Sequence, residues 1–272
     1  MQTPTMKAFE RLEKKFFDQI QYKQTSIRPE FPGEIVYQRI LDSEEFVQKF
    51  HDCLIEMVIE KNPATIQKLN DFFHNLQIKT SPYNWEQEHY NFLLRELFLH
   101  AAAILLRARQ YHLLDGILSE KRSYNKGSRK RIDVSFVHFG LPCYSLENKQ
   151  EESRRVTAAQ LILERSLNVW KSQIVETDLV LFYLSCLRGE RRHPWTPTLA
   201  GYHEEGELCF LSLLKLKDVY LNAQTLLGGY SPEDLSLKAK EFVLPTGHHP
   251  FAKGDYAPKL WEVMNIENIA TL

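Results

Sequence analysis

The strongest constraint on the fold of this chain is a long amphipathic stripe between residues 85 and 109. Apolar residues recur three or four positions apart, at Tyr90, Leu93, Leu94, Leu97, Phe98, Ala101, Ile104 and Leu105. This spacing places them along one face of an α-helix, and a stripe of this length is typical of a central packing helix. The stripe therefore predicts a fold that is organised around helices.

Helix-start signals and scarce glycine support the same fold class. Ser43 and Asn62-Pro63 each precede an apolar stripe of helical spacing, and Ser231-Pro232 is followed by two acidic residues. A capping side chain with proline at the first helical position is typical of helix starts. The chain has only 11 glycines in 272 residues, which favours long helices over tight turns. We predict an all-α fold, either an irregular bundle or two helical lobes.

The helical pattern breaks between residues 119 and 151. Residues 132–137 alternate apolar and polar side chains and form the best strand candidate in the sequence. We therefore expect at most a small β element near residues 132–146. The predicted organisation is an N-terminal helical lobe (1–118), a basic, loop-rich insertion or hinge (119–151) and a C-terminal helical lobe (152–272).

Charge and cysteine content exclude several protein classes. The formal net charge is −1, which excludes a polycation of the histone type. The cysteines Cys53, Cys143, Cys186 and Cys209 form no C-x-x-C pair and are typical of reduced, buried thiols. The charged start of the chain lacks the apolar core of a signal peptide, and no apolar run approaches the length of a membrane span. We expect a cytoplasmic protein with no membrane association.

The most distinctive local feature is a basic segment. Six cations and no acid occur in eleven residues, at Lys121, Arg122, Lys126, Arg129, Lys130 and Arg131. Such a cluster can follow a phosphate backbone and release its counterions, and Tyr124 within it can stack on an unpaired base. The alternative is a solvated loop, or one that faces a protein. We predict these six residues as nucleic-acid or phosphate contacts.

A second constellation is Arg188-Gly-Glu-Arg-Arg-His193, which ends an apolar helix. It resembles the R-x4-H motif of metal-independent ribonucleases of the HEPN class. The resemblance implies that Arg188 stabilises the phosphate while His193 does acid–base work, because the transition state gains charge on the phosphate. Arg107 and His112 have the same spacing.

A third candidate combines Asp133 with Glu147 and Lys149. This pattern resembles the PD-(D/E)xK nuclease site, in which two carboxylates hold Mg²⁺ and the lysine positions water. Such nucleases need a mixed sheet of several strands, whereas the sequence predicts one or two. The His and Cys positions match no zinc-site spacing, and no phosphate-binding or dinucleotide-binding glycine motif occurs. We therefore predict no resident metal and no cofactor.

Three segments together resemble the helical accessory or sensor regions of bacterial anti-phage defence proteins. They are residues 88–99 (EHYNFLLRELFL), residues 178–185 (DLVLFYLS) and residues 195–197 (WTP). The resemblance implies a recognition module that contacts an effector or a phage-derived trigger, and it supplies no catalytic residues. We predict a non-enzymatic interaction or regulatory module with a protein partner, an effector or a second copy of the chain, and with nucleic acid at the basic segment. The two nuclease interpretations are its alternatives.

Overall fold

The computed structural model describes residues 3–19, 32–80, 84–125, 131–140, 143–147, 157–190, 194–204, 207–241 and 260–272. The fold is all-α, as the sequence predicts. The helices are α1 (Pro4–Gln19), α2 (Pro32–Leu41), α3 (Glu44–Glu60), α4 (Thr65–Ile78), α5 (Glu88–Arg107), α6 (Tyr111–Ser119), α7 (Tyr144–Glu147), α8 (Ala158–Arg165), α9 (Asn168–Leu187), α10 (Cys209–Ser212), α11 (Lys217–Ala223), α12 (Pro232–Lys240) and α13 (Leu260–Val263). Two strands, β1 (Arg122–Asn125) and β2 (Arg131–Val134), form a two-stranded sheet.

The small β element differs from its predicted position. The strand expected at residues 132–137 ends at Val134, and a 3-10 turn covers Phe136–Gly140. Its partner β1 lies inside the basic segment, which the sequence pattern predicts as a loop. Buried Phe136 and Phe139 explain the early end of the strand, because the 3-10 turn brings both rings into packed interiors.

Helix starts follow the predicted signals with two local corrections. Ser43 precedes α3 as predicted, but its hydroxyl donates to the Ile40 carbonyl and caps no amide of the helix. The Ser231 hydroxyl accepts a hydrogen bond from the Asp234 amide, with Pro232 at the first helical position of α12, as predicted. Helix α4 begins at Thr65, two residues after Pro63. The Asn62 side chain instead accepts a hydrogen bond from the Ala64 amide at 2.9 Å. It therefore stabilises the turn before α4.

The chain forms two compact units, each discontinuous in sequence. The first comprises Met1–Ile104, Lys121–Asp133 and Phe139–Leu167, and the second comprises Leu105–Glu120, Val134–His138 and Asn168–Leu272. The contiguous division at residues 118 and 151 stays a prediction, because compactness does not measure which segments fold independently.

The core of the first unit is a cluster of phenylalanine rings from α1, α3 and α4. Phe9, Phe16, Phe50 and Phe72 are each at most 1% exposed. The Phe16 and Phe46 rings stack at 3.7 Å between centroids, and Phe72 lies within 6.2 Å of both. These offset and edge contacts add to the stabilisation from burial.

Helix α9 lies at the centre of the second unit. Every residue from Thr177 to Leu187 is buried. No helix in the described ranges combines the length and apolar character needed to span a membrane.

Candidate functional site

The basic segment, residues 121–131, forms a β-hairpin with the rest of β2, which ends at Val134. We call this hairpin the basic hairpin. Strands β1 and β2 are hydrogen-bonded neighbours separated by five residues. A parallel crossover requires a dozen or more residues, so the pairing is antiparallel. Of the six predicted contact residues, Lys121, Arg122 and Arg131 lie within the described residues. The other three, Lys126, Arg129 and Lys130, lie outside them.

Antiparallel pairing divides the six cations into two groups. Lys121 and Arg122 stand at the start of β1, which is the end of the hairpin away from the connection. The remaining four stand in the connection or, for Arg131, at the start of β2. The two ends of β1, Arg122 and Asn125, are about 10 Å apart at 3.3 Å per residue. Arg122 and Arg131 therefore mark the two ends of one short ribbon, with exposed Lys121 at its base.

Five residues beyond the end of β2, the chain packs into an aromatic cluster of the first unit. The Phe139 side chain is fully buried. Its ring centroid lies 4.9 Å from that of Phe98 and 5.9 Å from that of Phe73. A short two-stranded ribbon is marginally stable alone, so the hairpin depends on the structure around it.

Arg188, the described member of the predicted ribonuclease pair, is fully engaged within the second unit. Its Nη1 donates to Asp115 Oδ1 at 2.6 Å and to the Leu226 carbonyl at 3.2 Å, and its Nη2 donates to Ser119 Oγ at 2.5 Å. These contacts join the end of α9 to α6 and to the turn after α11. A substrate phosphate would have to compete with the Asp115 carboxylate for this guanidinium. His193 lies outside the described residues, so convergence of the pair stays a prediction.

The second R-x4-H spacing occurs at the junction of α5 and α6. The Arg107 guanidinium lies 4.8 Å from the centroid of the Trp170 ring, a cation–π contact. His112 is exposed near the start of α6. Arg107 therefore has a packing role on Trp170.

The predicted magnesium site is spread over two elements. Asp133 lies in β2, Glu147 is the last residue of α7, and Lys149 lies outside the described residues. The two-stranded sheet is the whole of the β-structure in the described ranges, whereas the PD-(D/E)xK pattern needs a mixed sheet of several strands. Within the same ranges, no group of three or more His, Cys, Asp or Glu side chains is arranged to hold a metal ion.

A buried polar cluster in the first unit has no signature in the local sequence. Arg165 at the end of α8 donates from Nε to Glu96 Oε1 at 2.7 Å and from Nη2 to Oε2 at 3.2 Å. Its Nη1 also donates to the Ile40 carbonyl at 2.8 Å and its Nη2 to Ser43 Oγ at 3.1 Å. The Arg165 and Glu96 side chains are 4% and 0% exposed. Burial raises the pKa of Glu96, and Arg165 opposes this shift.

Two buried histidines adjoin this ion pair. The His51 and His100 rings meet edge to face at 5.7 Å, and His100 Nε2 is 3.1 Å from Ser166 Oγ. Burial lowers the pKa of His100 to about 3, helped by the positive charges of His51 and Arg165. Burial likewise lowers the pKa of His51, while Asp52 opposes it. The imidazole of His100 is therefore neutral at pH 7. Buried titratable groups of this kind occur at functional sites and in structural networks alike.

A second buried carboxylate, Asp178, fixes the loop after α9. Its two oxygens accept hydrogen bonds from the Trp195 indole Nε1 and the Leu199 amide, both at 2.7 Å. The Ser185 hydroxyl accepts a further bond from the Trp195 amide at 3.0 Å. The Trp195 side chain is fully buried. It ties the loop to α9 and is not an exposed anchor for a partner.

Comparison of the chain with protein-family models, with curated proteins and with solved structures finds no match.

Proposed function

We propose that this chain is a non-enzymatic binding module that contacts nucleic acid through the basic hairpin. The observation that carries the proposal is the pairing of β1 with β2 in a segment with six cations and no acid. The pairing holds Arg122 and Arg131, the two strand cations, on one short ribbon, whereas an open loop would disperse them. Held together, they neutralise neighbouring phosphates at a smaller entropic cost.

The composition of the hairpin favours a phosphate backbone over a protein surface as its partner. Between Lys121 and Arg131, Tyr124 is the only large apolar residue, and the others are cations, serines, asparagine and glycine. Protein–protein interfaces have cores that are depleted of charge and rich in aromatic residues. Phosphate contacts come from lysine, arginine, serine, asparagine and backbone amides. The composition of the basic segment is therefore that of a phosphate-contacting surface.

The contacts of Arg188 support a binding role over the ribonuclease alternative. Its guanidinium holds α6 and the turn after α11 through Asp115, Ser119 and the Leu226 carbonyl. Binding a substrate phosphate would break contacts that stabilise the second unit. A role in anti-phage defence, and a protein partner within it, rests on the three resembling segments and stays a prediction.

The proposal is tested by the fluorescence anisotropy of labelled single-stranded RNA and DNA titrated with the full chain at low salt. We expect saturable binding that the triple variant Lys126→Glu, Arg129→Glu, Lys130→Glu weakens at least tenfold. Charge reversal replaces attraction by repulsion at each phosphate, so losses of this order are expected from about 1 kcal/mol per contact.

A matched control has the same change in net charge away from the hairpin. Lys7, Lys14 and Lys240 are exposed residues of α1 and α12, and their triple replacement by glutamate should leave binding within about twofold. Equal weakening by both triple variants would show a non-specific charge effect and contradict the proposal. Binding of an acidic peptide in preference to nucleic acid would also overturn it.

A further inference from the structure

The end of α8 is held against α5 and the α2–α3 turn by buried polar contacts. Arg165, the last residue of α8, donates to both carboxylate oxygens of Glu96 in α5. It also donates to the Ile40 carbonyl and the Ser43 hydroxyl at the α2–α3 turn. None of these residues belongs to the basic hairpin, so an inference about this region goes beyond the proposed function.

The hydrogen bonds of Ser166, the residue after α8, fix which nitrogen of His100 carries a hydrogen. The Ser166 hydroxyl donates to the Ile162 carbonyl at 2.5 Å, and His100 Nε2 lies 3.1 Å from the same oxygen. A hydroxyl has a single hydrogen, so Ser166 accepts at this second contact and His100 Nε2 is the donor. Neutral His100 therefore has its lone pair on Nδ1.

The other ring nitrogen of His100 cannot take up a proton without cost. Nδ1 is buried and has no hydrogen-bond partner among the described residues, and the residue as a whole is 4% exposed. Protonation would turn Nδ1 into a charged donor that none of these residues accepts. A buried donor without an acceptor is costly, and a buried charge without a partner costs more. The packed arrangement therefore accommodates neutral His100 only.

The charged groups around His100 also oppose its protonation. From α3, the His51 ring meets the His100 ring edge to face at 5.7 Å, and from α8 the Arg165 guanidinium adds a permanent positive charge. The Glu96 carboxylate, on the same helix as His100, is already occupied on both oxygens by Arg165. The Asp52 carboxylate is 3.9 Å from His51 Nδ1, but its side chain is 75% exposed and screened by water.

We propose that uptake of a proton by His100 in mild acid releases the end of α8 from α5 and so opens the first unit locally. Once α8 has moved, His100 is hydrated and carries its charge at little cost. The same movement removes Arg165 from Glu96 and from the α2–α3 turn. Helix α8 is the element that moves because it has eight residues, whereas α3 and α5 have 17 and 20. Local opening involves the elements with the fewest buried contacts.

The test is hydrogen–deuterium exchange of the full chain at pH 7 and at pH 5, corrected for intrinsic exchange rates. The pKa of His100 is lowered to about 3 in the packed state, mainly by burial, against 6.5 when it is hydrated. Linkage then predicts that the opening equilibrium constant of the α8 amides rises about 25-fold from pH 7 to pH 5. At pH 5 it should exceed that of the α5 amides by at least about tenfold. A rise below about fivefold, or equal opening constants for α8 and α5, would overturn the proposal.

Matched variants separate His100 from other groups that titrate in this range. In His100→Asn the rise should shrink to about threefold or less, because only His51 is left to respond in this cluster. Exposed His112 provides the control, and His112→Asn should keep the wild-type rise. Burial raises the pKa of Glu96, so Glu96 opposes the effect, but it does so equally in all three proteins. An unchanged rise in His100→Asn would contradict the assignment. If this variant does not fold, the comparison of α8 with α5 in the wild type still decides.

Discussion

Removal of Arg165 should destabilise the protein more than any other single truncation of an ion-pairing side chain in the described residues. In Arg165→Met, the aliphatic part of the side chain is retained and the guanidinium is lost. The fully buried Glu96 carboxylate then keeps no cationic partner, after losing two hydrogen bonds of 2.7 and 3.2 Å. Loss of one partner of a buried pair costs about 3–5 kcal/mol, because the other charge stays desolvated.

The double variant Glu96→Leu, Arg165→Met should recover most of this loss. It removes both charges, so no desolvated charge remains. The Ile40 carbonyl also loses a donor, but it still accepts from the Ser43 amide at 3.1 Å and from the Ser43 hydroxyl at 2.6 Å. No buried acceptor of this turn is left unsatisfied. We expect the double variant to lie within about 1–2 kcal/mol of the wild type, so that most of the loss of about 3–5 kcal/mol in Arg165→Met is recovered.

Urea denaturation at pH 7, followed by far-ultraviolet circular dichroism, measures the free energy of unfolding of the wild type, the two single variants and the double variant. If Arg165→Met does not fold, the comparison of the double variant with the wild type still tests the argument. A cost below about 1 kcal/mol for Arg165→Met would refute the reasoning. A double variant as unstable as Arg165→Met would refute it as well.

Three further predictions concern other buried polar groups. In the folded wild type, His100 takes up a proton only near pH 3, whereas in the unfolded chain it does so near pH 6.5. The stability that this group contributes is therefore present above pH 6.5 and is lost as the pH falls below it. Between pH 6.5 and pH 5, the free energy of unfolding of His100→Asn should fall by about 2 kcal/mol less than that of the wild type. Urea denaturation at each pH measures this difference, and an unchanged pH slope would contradict the prediction. Asp178→Ala should lower the free energy of unfolding by about 2–4 kcal/mol, because two buried donors lose their acceptor. It should also make Trp195 accessible to acrylamide quenching, and unaltered quenching would contradict the assigned role. By the same assay, Arg188→Met should lower the free energy of unfolding by about 1–2 kcal/mol. This is less than the loss in Arg165→Met, because the side chains of the Arg188–Asp115 ion pair are 15% and 24% exposed. Equal losses in the two variants would contradict the ranking by burial.

The helices could be predicted from local sequence because their signals are periodic and short in range. The stripe of residues 90–105 corresponds to α5, and Ser231-Pro232 starts α12 as expected. The strand β1 could not be predicted in this way. Residues 122–125 (RSYN) show no apolar alternation, and this segment becomes a strand only through pairing with β2.

The buried polar contacts depend on pairs that are distant in sequence. Glu96 and Arg165 are 69 positions apart, and Asp178 and Trp195 are 17 apart. Nothing in either local segment marks these side chains as partners. The same limit applies to the predicted Arg188 site, because the motif spacing cannot show that Asp115 holds the guanidinium.

The segments that resemble defence-protein regions are buried apart from Thr196. Residues 88–99 belong to buried α5, residues 178–185 belong to buried α9, and Trp195 is buried against Asp178. Patterns of this kind are set by core packing, which many unrelated helical proteins share. The resemblance therefore stays a prediction, and the partner has to be found by binding experiments.

The salt dependence of nucleic-acid binding by the full wild-type chain tests the central claim most directly. If Lys126, Arg129, Lys130 and Arg131 each neutralise one phosphate of a single strand, the logarithm of the association constant should fall with the logarithm of salt concentration with a slope of about −3. Reversal of the charges at Lys126, Arg129 and Lys130 should make this slope shallower, at about −1 or closer to zero. A slope near zero, or no binding of RNA or DNA at low salt, would contradict the account.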